Sequence, residues 1–166
     1  MSGRFDEPTQ GERDRAARVA LGPAASRAKG EQLLAALRDA PRDAAALLRL
    51  ISEGAELGCV DAKANTPLIL ACGKLGELHC VAARLVAAGA ELDPVNTYGN
   101  SALFLACYER RAATAMLLVE AGAALNLVNC YGKSALDYAS EKGLHDVAAA
   151  IRARGGRTAA ELKARR

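Results

Sequence analysis

The 166 residues are 51% hydrophobic yet only 4% aromatic, with no Trp, and the apolar content is mostly Ala and Leu; such side chains lose little freedom in helices and suit thin layers of closely approaching helices better than a β-sandwich. The formal charge of +3 belongs to the ends: residues 1–30 hold six Lys/Arg and four Asp/Glu, residues 152–166 six and one, and the body between them ten and fourteen. An acidic body repels phosphate and argues against nucleic acid as a partner, and no run approaches the ~18 apolar residues that cross a membrane.

Residues 1–26 are charged and punctuated by Gly and Pro, the composition of a disordered segment. They show no signal peptide, because charges of both signs run through Arg18, so a cytoplasmic protein is expected. A first helix pair follows over Gln32–Arg38 and Asp43–Glu53 and stops at Gly54-Ala55. Thr66 then reads as an N-cap with Pro67 in the first helical position, where a missing N–H costs nothing. Leu68, Leu70 and Ala71 are expected to face the core, and a second helix runs near His79–Ala88 to Gly89. Tyr98-Gly99-Asn100 is a turn, Ser101 a cap and Ala102–Cys107 a short apolar helix. The polar break Arg110-Arg111 precedes a helix over Ala113–Ala121, with Met116, Leu117 and Leu118 to bury and Gly122 to end it. Leu136, Ala139, Val147 and Ile151 repeat the pattern before Gly155, and Thr158 to Glu161 has the spacing of a capping box, so residues 157–166 are a basic tail or a short capping helix.

Two independent markers share one period. Gly-Ala recurs at 54–55, 89–90 and 122–123, continued by Gly155-Gly156, with spacings of 35, 33 and 33; Thr66-Pro67-Leu68, Ser101-Ala102-Leu103 and Ser134-Ala135-Leu136 are spaced by 35 and 33. The two extra residues fall around Lys74-Leu75-Gly76. Thr66-Pro67-Leu68-x-Leu70-Ala71 with the glycine caps resembles the ankyrin repeat, a β-turn followed by T-P-L-H-x-A and two helices. The resemblance covers roughly residues 30–156 and implies an all-α ankyrin-repeat solenoid of stacked helix-turn-helix units with short β-turn fingers, repeats near 28–60, 61–95, 96–128 and 129–156. The motif's His is replaced by Ile69, Phe104 and Asp137, and the turn Gly of Gly99 and Gly132 is Ala64 in the second repeat, where a distorted or looser finger is expected. The pair over 32–53 reads as a degenerate capping repeat with Arg38, Asp39, Arg42 and Arg49 on its polar face; Glu141, Lys142 and Arg152 serve the other end.

The resemblance implies a module that binds another protein through its finger and first-helix surface, as adaptor or regulator, without catalysis, cofactor, metal or small-molecule substrate. Carried over by register, the contact positions are Lys63, Asn65 and Lys74 in the second repeat, Tyr98, Asn100, Tyr108 and Glu109 in the third, and Tyr131, Lys133 and Glu141 in the fourth. Tyr98 and Tyr131 sit 33 residues apart at equivalent finger positions, with Tyr108 on the same side. They form either a binding hot spot, for which Tyr suits well, or packing between fingers. The C-terminal cluster from Arg152 to Arg166 lacks interleaved aromatics and reads as a solvated tail.

Cys59, Cys72, Cys80, Cys107 and Cys130 are odd in number, with Cys72 and Cys107 in apolar helices, which fits a reducing compartment and free thiols. Cys72, His79 and Cys80 match no common zinc spacing. A monomer is expected. Two alternatives stay open: a secreted effector that binds a host protein, and an enzyme with a site that no motif discloses.

Overall fold

A computed structural model describes residues 9–39, 43–73 and 78–165. Among these, ten helices and no strand are found. The repeats supply two rows. The inner row is α2 (Pro23–Asp39), α4 (Pro67–Cys72), α6 (Ala102–Tyr108) and α8 (Ala135–Glu141); the outer row is α3 (Ala44–Ser52), α5 (His79–Ala87), α7 (Ala112–Glu120) and α9 (His145–Ala153). Each inner helix packs on the outer helix of its own repeat and on the next inner helix, and the outer helices pack likewise along their row. The stacking places equivalent residues side by side. Leu68, Leu103 and Leu136 form one fully buried row, and Leu85, Leu118 and Ile151 another.

The inner helices start where their caps dictate. Thr66 Oγ1 accepts from the Ile69 N–H at 3.2 Å, and Ser101 and Ser134 do the same for Phe104 and Asp137, each at 3.3 Å. The outer helices close on the glycine markers: after α5, the Gly89 N–H donates to Val86 and the Ala90 N–H to Leu85, both at 2.9 Å, a Schellman closure repeated at Gly54, Gly122 and Gly155.

Three expectations are corrected. Residues 9–26, read as disordered, are helical: α1 (Gln10–Leu21) begins at a capping box in which Thr9 and Glu12 bond each other's backbone N–H, and α2 starts at Pro23 rather than near Gln32. α1 lies against α2, α3 and α5. Asp14, only 1% exposed, pairs with Arg84 of α5 at 2.7 Å, and a methyl at Gly11 would collide with the Ala87 carbonyl. Charged composition hid a helix whose buried charge, Asp14, is neutralised by Arg84 of the stack. Residues 1–8 lie outside the described residues, as does Arg42. Second, Ile69 is buried and Leu70 is half-buried, since the short helix turns position 69 inward. Third, in α7 Leu118, Ala115 and Val119 take the core, leaving Met116 and Leu117 half-buried on its outer side.

At the far end α10 (Ala159–Lys163) is tied to the last repeat at Asp137 and Arg152. The Asp137 carboxylate accepts from the Ser134 N–H, the Ser134 hydroxyl and the Ala159 N–H at 2.7, 2.9 and 2.9 Å. Burial opposes its ionisation, but these donors prevail and hold the carboxyl below its usual range. A carboxylate with a lowered folded pKa contributes stability above its unfolded value of about 3.9 and loses it as the pH falls through the lower folded value. Acidification below about pH 4 should therefore release α10 before the central repeats, seen as early amide exchange at 159–163. Exchange that is uniform along the chain would contradict this.

Candidate docking groove

The second, third and fourth repeats each contribute a finger held by an Asp or Asn at one recurring position. In the second repeat the Asp61 carboxylate accepts from the Lys63 and Asn65 N–H groups, both at 2.8 Å, and from Asn65 Nδ2 at 2.9 Å. Burial works against the charge, yet the bonds from Asn65 and Lys63 keep this carboxyl below its usual range. Asn96 and Asn129 take the equivalent places. Asn96 Oδ1 accepts from Tyr98 and Asn100 N–H, and Asn129 Oδ1 from Tyr131 and Lys133 N–H, at 3.0–3.1 Å.

Their free amides join the fingers together. Asn96 Nδ2 donates to Asn65 Oδ1 at 2.9 Å, and Asn129 Nδ2 to Asn100 Oδ1 at 3.0 Å. The backbone repeats the connection, with the Thr97 N–H donating to the Lys63 carbonyl and the Cys130 N–H to the Tyr98 carbonyl, both at 3.0 Å. Three fingers thus make one continuous strip.

The expected distortion of the second finger does not occur. Ala64 takes the left-handed conformation at φ 57°, as Gly99 does at 74° and Gly132 at 70°, and its N–H still donates to Asp61 at 2.9 Å. The neighbouring fingers impose the turn, and a side chain there costs about 1 kcal/mol. Ala64→Gly should raise stability by about that amount in chemical denaturation; a loss would show that the turn carries no strain.

A groove of about 820 Å³ opens between this strip and the inner helices. Two rows in repeat register line it: Lys63, Tyr98 and Tyr131 from the fingers, and Leu70, Leu105 and Tyr138 from the inner helices. All four tyrosines of the chain are here. Tyr98, Tyr108 and Tyr131 are 42%, 40% and 67% exposed. Close ring contacts lie deeper: Tyr138 meets Phe104 at 4.6 Å and Tyr108 at 5.2 Å, both edge-to-face, and Lys142 Nζ sits 4.7 Å from the Tyr108 centroid. Partial burial raises the Tyr138 phenol above its usual range.

Among the described residues the anticipated contact residues divide into three groups. Lys63, Tyr98, Tyr108, Glu109 and Tyr131 line the groove. Asn65 and Asn100 also border it, but their side chains are occupied by the ladder, and Asn65 is 9% exposed. Lys133 and Glu141 pair with each other, which raises the lysine pKa. Lys74 lies outside the described residues. Sequence reasoning missed Leu70, Leu105, Phe104 and Tyr138. The register that located Tyr98 and Tyr131 would have found the row 70–105–138. Val60, Val95 and Val128, also in register and 40–55% exposed, were missed too.

Elsewhere Cys72 and Cys107 are buried, and desolvation pushes both thiols up to about 12, whereas Cys80 and Cys130 are exposed. Among the described residues no group of three or more His, Cys, Asp or Glu is placed to hold a metal ion, and no helix is long and apolar enough to cross a membrane.

The family model described as ankyrin repeats (3 copies) matches residues 33–129 and again 76–158. No curated protein matches the sequence. Together the matched stretches span residues 33–158, most of the chain, and cover the helix pairs, caps and fingers that the structure stacks, so the chain belongs to the ankyrin repeat family.

Proposed function

We propose that this chain binds a partner protein through the groove between its fingers and inner helices, acting as an adaptor or regulator. Ankyrin repeats are generally protein–protein interaction modules and typically not enzymes. One observation carries the placement: the four tyrosines, scattered from 98 to 138 in sequence, meet in a single groove, and three stay 40% or more exposed. Exposed aromatics gathered in a concavity present large area at small entropy cost, the usual make-up of a hot spot. The asparagine ladder supports them from behind, so binding does not have to order the fingers.

The test is affinity capture with the full chain beside a Tyr98→Ala/Tyr131→Ala variant. Both residues are exposed finger side chains, so circular dichroism should be unchanged. A partner retained by the native chain should bind the variant about tenfold or more weakly. A partner that binds both equally well would place the docking surface elsewhere.

A further inference from the structure

Resting on the groove reading above, we propose that the occupant is an extended, proline-rich segment in the polyproline II conformation. Spacing gives the first argument. Tyr98 and Tyr131 stand on adjacent fingers joined by the Cys130 N–H and Tyr98 carbonyl, and Leu105 and Tyr138 occupy adjacent positions behind them. Packed neighbouring helices stand about 8–10 Å apart. A polyproline II helix advances about 9.3 Å in each three-residue turn, so prolines at i, i+3 and i+6 meet one repeat each. A strand returns to the same face after about 6.7 Å and an α-helix after 5.4 Å, and neither keeps step with the repeats.

The hydrogen-bonding inventory gives the second. Along the finger strip the acceptors are already used: Asp61 by Lys63 and Asn65, Asn65 by Asn96, Asn100 by Asn129, and the Lys63 and Tyr98 carbonyls by the next finger. The phenol O–H groups of Tyr98, Tyr108, Tyr131 and Tyr138 make no hydrogen bond to another described residue and can donate into the groove. A proline-rich segment brings carbonyl acceptors and no N–H at its prolines. Charge complementarity points the same way. Lys133 pairs with Glu141, and the charged residues lining the groove balance, Arg38 and Lys63 against Asp61 and Glu109, so neither an acidic nor a basic segment is favoured and a neutral one fits. Aromatic-lined grooves that dock pre-extended proline segments are a recurrent recognition mode.

The experiment selects a random dodecapeptide display library on the full chain and then measures synthetic copies of the enriched peptides by isothermal titration. Expected are peptides with prolines three residues apart, weakened about 30-fold or more by Tyr98→Ala/Tyr131→Ala and about tenfold by replacing two in-phase prolines with alanine. Enriched peptides that depend on the tyrosines but lack spaced prolines would overturn the proline-rich class and leave the groove standing. Peptides that bind the tyrosine variant as tightly as the native chain would overturn the groove itself. An empty selection on the folded chain overturns the linear-segment proposal.

Discussion

Arg84→Ala should destabilise the protein by about 3 kcal/mol, the low end of the range for removing one member of a buried ion pair. The change leaves the Asp14 carboxylate 1% exposed without its cation, whereas the arginine itself is 23% exposed. The asymmetry matters. In Asp14→Ala the guanidinium can reach water along its flexible stem, so that variant should lose clearly less. Neither loss can exceed the free energy that docks α1, because beyond it the helix detaches and Asp14 returns to solvent. Urea unfolding should therefore rank Arg84→Ala below Asp14→Ala, with amide protection in Arg84→Ala lost first over 10–21. Equal, negligible effects would mean that α1 contributes nothing to the fold.

Leu103→Ala should cost about 2–5 kcal/mol, the transfer term plus the cavity left behind. Leu103 is 0% exposed and sits between its equivalents Leu68 and Leu136. A repeat stack is held by contacts between neighbours, so a defect in the third repeat weakens two interfaces at once. Unfolding should become less cooperative, with a lower denaturant slope than the same deletion at Leu136, where fraying begins from one end. If Leu103→Ala and Leu136→Ala gave equal slopes, the stack would be melting as an undivided unit.

The repeat was legible because its markers answer to local chemistry. A Thr or Ser cap and a glycine closure are needed in every unit, so they recur in register, and the fold follows from them. Ala64 shows where local chemistry stops: the sequence suggests a loose finger, but bonds to the next finger impose the same turn on a residue that does not favour it. α1 was illegible for a related reason. Its decisive contact joins Asp14 to a residue 70 positions away, and only the Thr9–Glu12 capping box announced it locally. Tyr98, Tyr108 and Tyr131, singled out by register, line the groove, while Tyr138 escaped notice and Asn65 and Lys133, read as contact positions, are each held by a neighbouring side chain. Polarity alone does not separate a contact residue from one already partnered.

The whole account depends on fingers locked into one preformed strip, and the side-chain amides of Asn96 and Asn129 report on it directly. In solution NMR they should exchange slowly and show cross-peaks to Asn65 and Asn100 of the preceding finger, while the Thr97 and Cys130 amides are protected. Fast exchange at both amides, with no contact between fingers, would show that no such strip exists before a partner binds.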